Sequence, residues 1–378
     1  MKKEKKRIAG SERPIFFYPE PSKHALDIGV CYPSNYSVGM SNLAFHFLYH
    51  NLKREHAFRV HRIFKDTAPF TLEEHRNIKS LKAIFTTISY EEDYLSFVKI
   101  LSDSGVELKR DRRKGTPLII AGGPAVTANP SILLEIADVI AVGEGEEVLS
   151  SIIEILSRSG AGPEFLYEAS KIASLIVPSI GVGVVQRNIN YERKSFSSSV
   201  ILTPFTTFTN AFLVEIARGC PGWCNFCLAR GIYGRYRYAD LDWIKEQISS
   251  VPNGVTVGLV STAVLSHPSF VEIVDFAVNK GHRVTLSSIR AEELSKDTVE
   301  AISRAGLRSI AIAPEAGSEK VRFALGKIVK NEIYISAVRM LADAGVTSIT
   351  MYFIAGSPFE DEESFVETDK FLAALRRE

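Results

Sequence analysis

Three of the four cysteines of this chain, Cys220, Cys224 and Cys227, fall within eight residues, in the run Glu-Ile-Ala-Arg-Gly-Cys-Pro-Gly-Trp-Cys-Asn-Phe-Cys. The run directly follows an apolar, strand-like stretch. Three thiolates on one short loop suit three corners of an iron-sulfur cluster and leave one iron open, whereas electron-transfer clusters usually have every iron closed by cysteine. An open iron means chemistry at the metal rather than electron wiring. Two other readings stand beside it: a zinc site, which wants a fourth Cys or His nearby, and buried structural thiols.

A loop that carries such chemistry must be held by regular elements. After residue 210 the sequence alternates strand-like and helical stretches with the rhythm of a parallel barrel. Strands are expected at 212–217, 255–260, 283–288, 309–313 and 348–354, with helices near 241–250, 269–280, 296–305, 319–324, 332–344 and 362–375. Five repeats are too few for a closed eight-stranded barrel. In such folds the strands' carboxyl ends carry the active residues, and the cysteine loop follows the first strand.

Residues 25–157 show a second alternation, of short apolar runs with amphipathic stretches, as in a parallel sheet covered by helices. Strands are expected at 26–32, 58–64, 83–88, 118–121 and 139–142, with helices near 42–54, 92–104, 131–135 and 146–158. Ligands of doubly wound sheets bind beyond the carboxyl ends of the strands. Those loops carry Gly39, Thr86 to Ser89, Gly122-Gly123-Pro124 and Gly143-Glu144-Gly145-Glu146. The two glutamates read as helix N-terminal carboxylates. Residues 158–210, broken by Gly, Pro and the serines 195–199, read as a connector, with a ribbon from 175–178 and 182–186. Residues 1–24 read as a basic, solvated arm without a function.

Composition narrows the class. The chain has 378 residues, 46% of them hydrophobic, enough for two cores, and its 45 basic and 44 acidic residues leave a net charge of +1. No overall field recruits nucleic acid or an acidic membrane. Cys31, in an apolar run, reads as a core thiol, so no disulfide framework is expected. A close thiolate trio suits a reducing cytoplasm, and no apolar run approaches the roughly 20 residues of a membrane span. Cytoplasmic localisation is the expectation.

The C-x3-C-x2-C spacing preceded by Arg-Gly resembles the signature of radical S-adenosylmethionine (SAM) enzymes. The resemblance implies a 4Fe-4S cluster held by Cys220, Cys224 and Cys227, and SAM bound through its amino and carboxylate groups at the open iron. It also implies a six-repeat open barrel, so that this chain would hold a partial barrel, truncated after the fifth repeat. A reductant such as flavodoxin or ferredoxin is implied as partner. By the same resemblance the second strand ends in Ser261-Thr262, where the family often contacts the SAM amino group. No Gly-Gly-Glu triplet is present there, which leaves only backbone for that contact. Ser288 and Arg290 follow the third strand, and a planar guanidinium suits a carboxylate or ribose. Glu315 stands in Ala-Pro-Glu-Ala-Gly-Ser, which resembles the Pro-Glu-x-Gly-Ser turn, as an acceptor for ribose hydroxyls or the ammonium. Ile354 and Gly356 correspond to the apolar turn beside adenine, and Phe226 commonly lies there too. Barrel-mouth ion pairs and core packing are the competing readings for these residues. Arg235, Arg237, Tyr238 and His267 read equally well as ordinary loop residues.

The 25–157 region resembles the cobalamin-binding-type domain found before many radical SAM cores. That would make Ser34, Tyr36, Gly39, Ser89, Gly122 and Gly123 cofactor-facing. Classical cobalamin domains carry Asp-x-His-x-x-Gly, but here the loop reads Ser34-Asn35-Tyr36-Ser37-Val38-Gly39, without the histidine. Cobalamin with an unligated lower face, or a water near Tyr36, and a domain that kept the fold and lost the cofactor both stay open. The reading at this point is a radical SAM enzyme, with methyl transfer or another modification at an unactivated carbon as its reaction class. Its alternatives are a radical SAM enzyme whose front domain serves substrate or a partner, and a non-enzymatic iron-sulfur or zinc module. Sulfur insertion into RNA is disfavoured, because the related methylthio-transfer enzymes carry a second cysteine trio in front. Nothing in the residues identifies a substrate.

Overall fold

The computed structural model describes residues 2–115, 117–193 and 196–378. Ser195, the first of the serine-rich stretch, lies outside the described residues. The chain divides into two compact units, 1–210 and 211–378.

The first unit starts with helix α1 (Lys2–Ser11) and a short strand β1 (Arg13–Pro14). Its sheet holds β2 (Leu26–Tyr32), β3 (Phe58–Phe64), β4 (Ala83–Thr87), β5 (Leu118–Gly122), β6 (Val139–Ala141) and β7 (Leu175–Ile176), in the order β3-β2-β4-β5-β6-β7. The first five are parallel, and β7 runs antiparallel at the edge. The helices between them are α2 (Tyr36–Gly39), α3 (Leu43–Lys53), α4 (Glu92–Asp103), α5 (Pro124–Ala128), α6 (Glu146–Ser159) and α7 (Pro163–Ala169). Two apolar clusters result from covering both faces, one around Val30, Phe45 and Phe64, the other around Ile63, Ile84 and Phe97. That explains why β2 and β5 read as nearly unbroken apolar runs. Gly29 keeps β2 tight, since a Cβ there would meet Ile63 Cδ1 at 2.5 Å.

Three expectations fail in this unit. The N-terminal arm is not loose. β1 pairs antiparallel with β8 (Ile201–Leu202), and Glu12 is a buried partner of Arg62 at 2.7 Å. A buried arginine needs its carboxylate, and that need ties the arm down. The expected ribbon is absent as well: β7 joins the edge of the front sheet, while 182–186 forms no strand. The helix expected at 131–135 is replaced by α5 and a 3-10 turn at Pro130–Leu133, because Pro124 and Pro130 each start a short helical turn.

In the second unit five parallel strands alternate with helices. They are β9 (Ala211–Glu215), followed by the small antiparallel pair β10 (Ala217–Arg218) and β11 (Arg237–Tyr238), then β12 (Thr256–Val260), β13 (Arg283–Leu286), β14 (Ser309–Glu315) and β15 (Ser348–Phe353). The rows are β13-β12-β9 and β14-β15, linked by a parallel bridge from Ile289 to Ile312. The helices are α8 (Leu228–Tyr233), α9 (Leu241–Ser249), α10 (Phe270–Asn279), α11 (Lys296–Arg304), α12 (Glu319–Ala324), α13 (Asn331–Asp343) and α14 (Glu362–Leu375). Their starts are marked in sequence: Asp240 caps α9, and capping boxes Ser295/Thr298 and Asp361/Ser364 open α11 and α14. Among the described residues no helix is long and apolar enough to cross a membrane.

Candidate cluster and SAM site

Strand β9 delivers the cysteine loop through the β10–β11 pair. Gly219, at φ +80°, makes the bend, and a Cβ there would meet Arg235 O at 2.6 Å. Cys220, Cys224 and Cys227 are all free and half-buried. The Gly222 N–H donates to Cys220 Sγ at 3.3 Å, and Cys227 N donates to Cys224 O at 3.2 Å, so the loop curls around its own sulfurs. Arg290 Nη1 approaches Cys220 Sγ at 3.4 Å. Gly222 leaves room for it, since a Cβ would come within 2.9 Å of that nitrogen. From below, Asn225 N donates to Leu325 O at 2.9 Å and Asn225 Nδ2 to Ala324 O at 3.4 Å, so the end of α12 supports the loop. Among the described residues no three Cys, His, Asp or Glu side chains come together closely enough to hold one metal ion. A four-iron cluster gives each thiolate its own iron and needs no such convergence.

Burial pushes the Cys224 thiol up, and its neighbours Cys227, Cys220 and Glu315 add to this, while Lys327 opposes it. A positive charge beside Cys224 therefore favours the thiolate that binds metal. The donor set fits a 4Fe-4S cluster: three thiols at one strand end, with an arginine at one sulfur.

The later strand ends surround this loop unevenly. Ser261 and Thr262 are occupied within the protein. Ser261 N donates to Ser287 Oγ at 3.3 Å, Ser261 O accepts from the same hydroxyl at 2.6 Å, and the Thr262 hydroxyl donates to Gly219 O. Their hydroxyls shape the loop. Ser288 is exposed, and Arg290 is held by Glu292 Oε1 through Nε at 2.9 Å and Nη2 at 2.6 Å. Glu315 has φ +68°, a left-handed conformation rare outside glycine, in the turn that leaves β14. Its carboxylate meets Lys327 Nζ at 3.3 Å, and its carbonyl accepts from Ile354 N at 2.8 Å, which joins the β14 and β15 ends. Gly356, at φ +83°, and Ser357 both donate to Glu360 Oε2, so that turn is fixed by the Glu360 carboxylate. Phe226 is 44% exposed, available for a ligand rather than packed in the core. Arg237 donates to Tyr233 O, and the buried His267 bridges Ala239 O and Ser269 N, both structural tasks.

Three residues escaped the sequence reading. Lys327 donates to Ala313 O and Glu315 and influences Cys224. Arg322, fully buried, donates to the carbonyls of Pro314, Ala316 and Val329 and to Asn331 Oδ1. It holds the turn that carries Glu315 from beneath. Tyr334, also fully buried, faces Arg322 with its ring at 4.7 Å. All three lie in or after α12, past the strand ends where ligand residues are sought; only the unusual Arg at an apolar helix position signalled them.

In the first unit the expected cofactor loops are largely committed to the protein. Tyr36 is buried, its N–H donates to Asp66 at 3.0 Å, and its hydroxyl donates to Glu12, which also accepts from Arg62. A Cβ on Gly39 would strike the Phe64 ring at 2.5 Å, and one on Gly123 would strike Ile88 O at 2.6 Å. These glycines serve packing against the chain itself. Ser89 N donates to Asp93 at 3.2 Å and its hydroxyl accepts from Asn42 at 3.2 Å. Ser34 N donates to Tyr32 O at 2.8 Å, and Gly122 O accepts from Ile88 N at 2.8 Å. Glu144 does not cap α6 but accepts from Asn190 N at 2.8 Å. The residues present do not fit a cobalamin served from below at Tyr36.

A cysteine loop follows the first of five parallel strands, with Arg290 of the third strand end at one sulfur, the arrangement that the C-x3-C-x2-C resemblance implies for a radical SAM core. Sequence models of two families match: "Radical SAM proteins, N-terminal" over residues 44–178 and "Radical SAM superfamily" over residues 214–372. The chain belongs to the radical SAM superfamily. It is 29% identical over 363 residues to the uncharacterized protein MJ0966 of Methanocaldococcus jannaschii, covering 93% of this chain and 74% of that one. Its fold is similar to the cobalamin-dependent SAM radical enzyme OxsB (TM-score 0.63, 14% identity, 92% of this chain and 52% of OxsB). It is also similar to the radical SAM methyltransferase TsrM of Kitasatospora setae, solved with cobalamin and a 4Fe-4S cluster (TM-score 0.60, 13% identity, 93% of this chain and 73% of TsrM). The chain thus spans about three quarters of MJ0966 and TsrM and about half of OxsB.

Proposed function

We propose that this chain is the SAM-cleaving part of a radical SAM enzyme that modifies an unactivated carbon of its substrate. The observation that carries the reading is the half-buried trio Cys220, Cys224 and Cys227, with Arg290 at one sulfur. The chemistry supplied by a bound 4Fe-4S cluster and SAM is one-electron cleavage of a carbon–sulfur bond, giving methionine and a 5'-deoxyadenosyl radical that takes a substrate hydrogen atom. The chain's own residues bind and orient. The trio holds the cluster; Lys327 and Arg290 offer cations to the SAM carboxylate; Glu315 offers acceptors to ribose; Phe226 and the Ile354 to Gly356 turn provide an apolar bed for adenine. A reductant such as flavodoxin or ferredoxin supplies the electron.

For the first unit the favoured reading is a fold of the cobalamin-binding type that serves substrate or a partner. The commitment of Tyr36 to Glu12 and Asp66 supports this over a corrin served from below at Tyr36. The test is anaerobic reconstitution followed by a SAM-cleavage assay and an optical spectrum on one sample. The parent chain should bind about four irons and release 5'-deoxyadenosine, without the corrin bands of cobalamin. Release of 5'-deoxyadenosine by a reconstituted Cys224→Ala protein would end the assignment, and corrin bands that persist through purification would restore a cobalamin-bound front domain.

A further inference from the structure

Trp223 stands next to Cys224 in the cysteine loop, yet its side chain is 68% exposed. The Arg230 guanidinium lies over its ring, 3.6 Å from the centroid. Leu228 and Arg230 are themselves exposed, and so is Ile328, two residues past the Gly326 that packs against Trp223 O. Single exposed apolar residues need no reason. A tryptophan clasped by an arginine beside further exposed apolar side chains does need one, because these two residue types dominate the hot spots of protein interfaces.

The charge around this pair has one sign. Residues 216–239 hold Arg218, Arg230, Arg235 and Arg237 and no Asp, Glu or His, in a chain whose net charge is only +1. Arg218 is answered by Glu215 at 2.8 Å, and Arg237 donates to the carbonyls of Tyr233 and Arg235. Among the described residues no carboxylate pairs with Arg230 or with the exposed Arg235. Uncompensated surface charge steers an oppositely charged partner and fixes its orientation, so the partner is acidic. Arg230 and Arg235 are few for a nucleic acid, whose affinity is built from many phosphate contacts. One tryptophan–arginine pair suffices to anchor a small protein.

The position in the chain says what that protein does. Trp223 and Leu228 directly flank Cys224 and Cys227, and a cluster at these thiols must receive its electron from outside the chain. An iron-sulfur carrier suits this surface better than a flavin, because its oxidation moves no proton and residues 216–239 offer no carboxylate or imidazole to exchange one.

We propose that the exposed face built on Trp223, Leu228 and Arg230 is the docking surface for a small acidic ferredoxin that reduces the cluster at the cysteine trio. The inference rests on the cluster-binding reading above. In the step, the reduced iron-sulfur centre of the ferredoxin loses one electron and the cluster of this chain gains it; no bond forms or breaks and no proton moves. Trp223 is the apolar anchor, and Arg230 and Arg235 attract the carboxylates of the partner.

The test uses the full chain after anaerobic reconstitution, the variants Arg230→Glu and Trp223→Ala, and an acidic plant-type ferredoxin as probe. Iron content is measured first, then equilibrium binding of oxidised ferredoxin at low and at moderate salt. SAM cleavage is then driven either by reduced ferredoxin or by dithionite, a small reductant that needs no docking surface. Arg230→Glu should keep parental iron and dithionite-driven cleavage, bind ferredoxin about tenfold more weakly at low salt, and lose part of the parent's salt dependence. Trp223→Ala should weaken ferredoxin at both salt concentrations. Ferredoxin affinity unchanged in both variants, a parent that does not bind ferredoxin, or dithionite-driven cleavage that falls as far as the ferredoxin-driven reaction would each overturn the proposal. Loss of iron in Trp223→Ala would also overturn it, since Trp223 would then serve the loop. Binding of transfer RNA that Arg230→Glu abolishes, with ferredoxin affinity unchanged, would assign the face to nucleic acid instead. A parent chain that takes up iron but cleaves no SAM with dithionite would overturn the reading on which the inference rests.

Discussion

Arg290 and Cys220 meet at 3.4 Å, guanidinium to sulfur, while the other face of the guanidinium is locked on Glu292. The contact joins the third strand end to the first. A donor and positive charge at a cluster sulfur stabilises the electron-rich state, since hydrogen bonds to the sulfurs and local charge set cluster potentials. Arg290→Gln should therefore make the reconstituted cluster harder to reduce, by on the order of tens of millivolts, at unchanged iron content. An EPR-monitored redox titration reads this directly, and an unmoved midpoint would assign Arg290 to Glu292 alone.

Gly326 supports the trio from below. It has φ +79°, and a Cβ there would meet Trp223 O and Asn225 Cγ at 2.9 Å and Asn225 N at 3.0 Å. Gly326→Ala is expected to push the cysteine loop off the end of α12 and to add backbone strain of about 1–3 kcal/mol. The measurement is iron per chain after reconstitution, which should fall well below the parent while the far-ultraviolet circular dichroism stays the same.

The strands were legible because their chemistry is local. β2 and β3 occupy the expected residues: β2 is an apolar run covered on both faces, and β3 keeps apolar residues at Phe58, Val60, Ile63 and Phe64 around Arg59, His61 and Arg62. The trio was legible for the same reason: its spacing lies within one loop. What was not legible depends on distant partners. Glu12 is an ordinary charge in a basic arm until Arg62, fifty residues on, requires it in the core. Lys327 and Tyr334 take their meaning from a turn and a loop that only the packing of α12 and α13 brings near. Tyr36 was judged by the place of its loop, at a sheet end that binds ligands in related folds, whereas its hydroxyl is used by Glu12.

That buried pair yields a stability prediction. Arg62 is 3% and Glu12 7% exposed, with Glu73 as second carboxylate at 2.6 Å. Removing one partner of a buried ion pair costs about 3–5 kcal/mol when the other charge is left uncompensated; Glu73 still holds Arg62 Nε here, so the lower end of that range applies. Glu12→Ala should destabilise the chain by about that amount in urea unfolding and should free the segment before β2 for limited proteolysis. A variant as stable and as resistant as the parent would show that the N-terminal segment is not needed by the core.

His46 supplies the pH dependence. It is 1% exposed; its Nδ1 accepts from Val200 N–H at 3.2 Å, and its Nε2 lies 2.9 Å from Met40 O, to which it must then donate. That arrangement admits only the neutral ring, and protonation at Nδ1 would set two donors against each other. Burial pushes its pKa down to about 4, with Arg62 and His50 adding to the effect against the bond to Met40. In the unfolded chain the ring titrates near the ordinary value of 6.5. Between these values the unfolded state binds a proton that the folded state refuses, so stability falls as pH drops from about 6.5 to about 4 and the slope ends below that. The loss attributable to His46 is roughly 3 kcal/mol over the whole window. His50, also depressed to about 4 by burial, contributes to the parent's slope, so the parent must be compared with His46→Gln. Urea midpoints at pH 7 and pH 4.5 should converge markedly in that variant. Equal slopes for parent and variant would mean that His46 already carries its proton in the folded state.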